Sequence, residues 1–133
     1  MGVLLLFVLT FGVLLGTVNS DTACGGDLVE DAGGPVTTPN FPNDYNNDEI
    51  CEWSITVSPG MAISLTFESL ELQEHSDFVI IYDGPNTGAA ELQRFTGHKN
   101  EAITITSTSN MMFLRFMSDA SGTARGLKFS YTS

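Results

Sequence analysis

From Cys51 onward the chain repeats one arrangement: a short run of alternating apolar and polar residues, then a cluster of turn formers. Cys51–Val57 places Cys51, Trp53, Ile55 and Val57 on one face, because successive side chains of a strand point to opposite sides. Ser58-Pro59-Gly60 breaks that run. Ile63–Leu70 follows, with Ile63, Leu65 and Phe67 inward, and then Phe78–Tyr82, which Asp83-Gly84-Pro85-Asn86 ends. Glu91–Phe95, Ala102–Ser107, Met111–Met117 and Leu127–Tyr131 complete the series. No stretch carries the period of an amphipathic helix of useful length. Short strands at this spacing bury one face each, so the expected fold is an all-β sandwich or barrel. Trp53, Phe67, Phe78, Phe113, Phe116 and Phe129 are its expected core, with Met111, Met112 and Met117 as packing or strand-edge residues. Asp27–Asn47, rich in Gly, Pro, Asn and Asp, reads as loop with one short strand near Val36–Thr38.

The front of the chain is of another kind. Val3–Val18 holds no charged residue and is followed by the small polar residues Asn19 and Ser20. Such a run is shorter than the roughly 20 residues a spanning helix needs. It fits a secretory leader over residues 1–20, although no Lys or Arg precedes it. The expected product is a secreted, extracellular protein without a membrane span. Cys24 and Cys51 are the only cysteines, and in an oxidising compartment their expected state is a disulfide. Closing that loop is worth about 3.6 kcal/mol of chain entropy. Two free thiols or half of a metal site are the competing readings, and no other ligands stand at suitable spacing.

Charge and motif content narrow the function. The formal net charge of −11 opposes phosphate backbones and excludes general nucleic-acid binding. A 42% hydrophobic content is far from the composition of a disordered acidic chain. His75 and His98 lie in loop-like segments, and no G-x-S-x-G elbow or zinc-ligand spacing accompanies them. The chain is expected not to be an enzyme.

Six segments in order then resemble one family. Cys24-Gly25-Gly26, Pro39-Asn40-Phe41-Pro42-Asn43-Asp44-Tyr45, Cys51-Glu52-Trp53-Ser54-Ile55, Asp77-Phe78-Val79-Ile80-Ile81-Tyr82-Asp83-Gly84, Phe116-Met117-Ser118-Asp119 with Ser121, and Gly126–Tyr131 are similar to the successive motifs of CUB domains. The resemblance covers residues 24–133 and implies a jelly-roll-like sandwich of antiparallel strands. Most members carry a second disulfide. Here Thr96 stands in place of its later cysteine, and the earlier one is missing from a shortened loop around Glu74–Ser76, as in two-cysteine members.

The resemblance also implies a calcium site at one end of the sandwich. Carried over by motif, Asp77 and Asp119 are its carboxylates and Tyr45 supports them. The carbonyls of Asp119 and Ser121 are its backbone ligands. Gln73 falls where calcium-binding members have Glu, which removes one charge, and Glu74 is the substitute if the loop shifts by a residue. The implied function is a secreted module for extracellular protein–protein interaction. Calcium would fix its acidic loops, and spare carboxylates would grip a Lys or Arg of the partner. A spermadhesin-like carbohydrate-binding role is the alternative, and a structural matrix component a third.

Overall fold

The structure is a computed structural model that describes residues 24–133. The expected leader, residues 1–20, lies outside the described residues. Ten strands follow in order: β1 Gly25–Leu28, β2 Ala32–Thr37, β3 Ile50–Thr56, β4 Ser64–Glu71, β5 Phe78–Tyr82, β6 Glu91–Phe95, β7 His98–Lys99, β8 Ile103–Thr106, β9 Met111–Met117 and β10 Gly126–Thr132. They form two sheets. One runs β8-β4-β10-β2, with β7 also paired to β4, and the other runs β1-β3-β9-β5-β6. Every pairing is antiparallel except β1 with β3. The fold is the all-β sandwich of antiparallel strands that the alternation and the resemblance implied.

Period-two patterning places the core. Cys51, Trp53, Ile55 and Val57 are buried on one side, as are Met112, Leu114 and Phe116 on β9 and Leu127, Phe129 and Tyr131 on β10. On β4 the alternation breaks after Phe67, yet both Phe67 and Leu70 are buried. The register against β10 shifts between Lys128 and Phe129 there, so a bulge carries the three-residue step from Phe67 to Leu70 without turning either side chain out. Phe129 joins the two sheets: its ring meets Trp53 edge-on at 5.3 Å and Phe67 at 5.8 Å.

Three expectations need correction. Phe113 lies three residues from Phe116, so on a regular strand the two point to opposite faces. Phe113 is half-buried on the outside of its sheet beside Tyr82. Phe78 is half-buried too, because Val79 and Ile81 take the inward positions of β5. Residues 27–47 are also less loop-like than expected, since they include half of β1 and all of β2. Both are sheet edges built from glycine, proline and small residues. Edge strands hold by backbone pairing on one side, so they need no apolar alternation, and Pro35 is tolerated there.

Candidate functional site

Three connections meet at one end of the sandwich: residues 38–49 between β2 and β3, 72–77 between β4 and β5, and 118–125 between β9 and β10. Tyr45 stands at their junction, 1% exposed, with its ring edge-on to Phe116 at 4.9 Å. Its hydroxyl donates to Oδ2 of Asp77 at 2.5 Å and accepts the Gln73 backbone N–H at 3.1 Å. Asp77 is fully buried, and its Oδ1 accepts the Asp119 N–H at 2.9 Å. One carboxylate thus fastens two loops to a third, and the tyrosine supplies the buried donor that its burial requires.

Burial first, and then the hydrogen bond to Asp77, push the Tyr45 hydroxyl well above the ordinary phenol range. Tyr131 is raised as well, by burial and then by the nearby Glu30 carboxylate. Both favour the neutral phenol in the folded state. Their stabilisation is therefore complete below the ordinary value of 10.0 and is lost as pH rises beyond it. Thermal melts taken between pH 9 and pH 12 should fall steadily above about pH 10, and a Tyr45→Phe chain should fall less steeply. Equal slopes for the two chains would contradict this assignment.

The remaining side chains divide into those the fold brings to this end and one it does not. Asp119 is exposed; its Oδ1 accepts the Ser121 N–H at 3.2 Å, and its carbonyl accepts the Asp48 N–H at 2.9 Å. The amide orientation of Gln73 follows from its neighbours. With Nε2 turned toward the 118–125 connection it donates to the Ser121 carbonyl at 2.6 Å and the Gly122 carbonyl at 3.2 Å, whereas reversed the amide oxygen would face only acceptors and the nitrogen only donors. Glu74 stands apart, its side chain 70% exposed beside His75. Gln73, and not Glu74, takes the position facing Ser121. His75 and His98 are exposed and lie next to Glu74 and Glu71.

Two contributors to this end were not recognised as such in the sequence. In the sequence Thr96 marks only a missing cysteine. Its hydroxyl accepts the His75 N–H at 3.0 Å and sits 2.7 Å from the Asp77 carbonyl and 3.2 Å from that of Gln73. Thr96 therefore ties the end of β6 to the β4–β5 connection, between the same two segments that the second disulfide would join. Asp48 contributes its backbone N–H from a left-handed conformation, φ 58°. A turn-forming Asn47-Asp48 pair was the only signal for it.

As arranged, these groups fit calcium poorly. A hard cation of this kind takes six to eight oxygens. Here the third carboxylate is replaced by an amide that donates, and the carbonyls of Ser121 and Asp119 already accept N–H groups. Only the Asp77 and Asp119 carboxylates remain of the expected set, and both Asp77 oxygens already accept hydrogen bonds. Elsewhere among the described residues, Cys24, Cys51 and Glu49 lie together, but the two sulfurs are bonded to each other. That bond is the expected Cys24–Cys51 disulfide, with its Cα atoms 5.0 Å apart.

The family model described as CUB domain matches residues 24–131. The chain belongs to the CUB domain family. Such a domain is a non-catalytic interaction module of extracellular proteins. The human tolloid-like protein 2 is 36% identical to this CUB domain over 105 residues, 76% of this chain and 10% of that protein. Among solved structures, the full extracellular region of zebrafish Gpr126/Adgrg6 superposes with a TM-score of 0.72 at 32% identity, over 84% of this chain and 15% of that one. The MASP-1 CUB2 domain bound to Ca2+ superposes at 0.71 with 26% identity, over 84% of this chain and all of that one. The chain thus spans about a tenth of the length of the tolloid-like relative. Among the described residues no helix is long and apolar enough to cross a membrane.

Proposed function

We propose that this CUB domain is exported, with residues 1–20 as its leader, and recognises an extracellular protein through the acidic loop end. The observation that carries the reading is the buried Tyr45–Asp77 pair. It spends one carboxylate on holding the three connections together and leaves Asp44, Asp48 and Asp119 exposed around it. Carboxylates on fixed loops select cationic side chains, so the partner surface presents Lys or Arg, and the charge of −11 steers such a partner in. A panel of purified basic and acidic extracellular proteins, measured by surface plasmon resonance, tests this. Basic members should bind, with affinity falling as salt rises and about tenfold lower for Asp119→Asn, while a control Glu101→Gln leaves it unchanged. Binding that ignored both salt and Asp119→Asn, or that free glycans displaced, would reject the reading; displacement would favour the carbohydrate role.

The calcium bound by the MASP-1 neighbour favours a second reading, in which the same end takes a calcium ion. The Asp77 and Asp119 carboxylates and the Ser121 carbonyl would hold it, and Gln73 would have to release Ser121 and turn its oxygen inward. With one charge fewer than a three-carboxylate set, its affinity would sit at the weak end for extracellular modules, about 1 mM or weaker.

A further inference from the structure

We propose that the Gln73 side-chain amide takes the place of a cation in this domain and latches the 72–77 and 118–125 connections together, so that the loop end is formed without metal. The inference rests on the recognition reading only in what the formed end is for; the latch itself stands on geometry. Nε2 carries two protons, and both have acceptors, the carbonyls of Ser121 and Gly122 at 2.6 and 3.2 Å. Two convergent carbonyls repel one another unless something positive lies between them, and the NH2 end of an amide supplies that partial charge. A glutamate at the same place would set a third carboxylate against these carbonyls and the Asp77 and Asp119 carboxylates, a repulsion that a bound cation would relieve. Gln73 needs none.

The seat is shaped for this side chain. Gly122 has φ +86°, where a Cβ is strained, and a Cβ there would overlap the Gln73 amide. The backbone of Gln73 is tied on both sides, its N–H to the Tyr45 hydroxyl and its carbonyl to the Asp77 N–H at 3.1 Å. The side chain therefore starts from a fixed root, and little further freedom is lost when the amide closes. Latch and calcium compete for the same Ser121 carbonyl, so a metal ion has to break two hydrogen bonds to enter.

The test compares wild type, Gln73→Leu and Gln73→Glu by thermal melts in EDTA and in millimolar calcium. NMR exchange of side-chain amide protons adds a readout that needs no metal. Wild type should melt at the same temperature in both buffers. Its Gln73 NH2 protons should exchange at least about tenfold more slowly than those of the exposed Gln93. Gln73→Leu should melt about 5 °C lower in both buffers, and Gln73→Glu about 5 °C lower in EDTA with recovery in calcium. The proposal is overturned if Gln73→Leu melts like wild type in EDTA, if the Gln73 amide exchanges as fast as Gln93, or if calcium raises the wild-type melt as it raises Gln73→Glu. A wild type that keeps the latch but binds no basic partner would sink the recognition reading and leave the latch intact.

Discussion

Asp77→Ala should lower the melting temperature by roughly 10 °C and loosen the whole loop end. Two donors lose their acceptor at once: the Tyr45 hydroxyl, buried under the connections, and the Asp119 N–H. Stranding buried or part-buried donors costs about 1–3 kcal/mol each, so about 3 kcal/mol in all is a moderate expectation. For a domain of this size that corresponds to the stated shift. Asp77→Asn should lose roughly half as much, since its carbonyl oxygen still accepts one of the two donors. The spatial pattern matters as much as the total. Amide exchange should quicken in residues 43–49, 72–77 and 118–125 and stay slow in β4 and β9. A uniform loss of protection, or no change in melting, would show that Asp77 does not organise these loops.

Removing the disulfide should cost about as much by a different route. Cys24→Ser with Cys51→Ala releases a constraint worth about 3.6 kcal/mol in the unfolded chain, a melting shift of roughly 15 °C. Alanine suits position 51, whose cysteine is fully buried in the core, while Cys24 is half-buried. The bridge also anchors β1, which pairs in parallel with β3 and lies at the sheet edge. Without it, β1 has only backbone bonds on one side and few apolar contacts, so the Gly25–Leu28 amides should exchange well before those of β3. A double variant that melts within about 2 °C of wild type would show that the bridge is dispensable.

Much of the sandwich was legible because strand patterning is local. Phe78–Tyr82, Glu91–Phe95 and Met111–Met117 form strands at the residues where alternation and turn formers placed them. The misplacements have one cause. Alternation says that neighbours face opposite ways but not which face is covered, so hydrophobicity alone points Phe113 and Phe78 inward. The edge strand β1, and all of β2 but its end near Val36, escaped because backbone pairing leaves no trace in side-chain polarity. The position of Gln73 in the loop end was legible as a lost charge. What its amide does instead was not.

The sequence by itself determined that the chain makes a disulfide-linked sandwich of short strands and carries Tyr45, Asp77 and Asp119 in three separate motifs. Those properties depend on residue types and on spacings within one strand or loop. Only the tertiary structure decided how the motifs use one another. Asp77 holds Tyr45 across 32 residues and Asp119 across 42. Thr96 reaches His75 across 21. Gln73 closes on Ser121 and Gly122 from the far side of the chain. A hydrogen bond depends on angles and on distances of a few tenths of an ångström, and these exist only after the sheets have packed. Residue type says which groups are able to bond; the packed fold selects which of them meet.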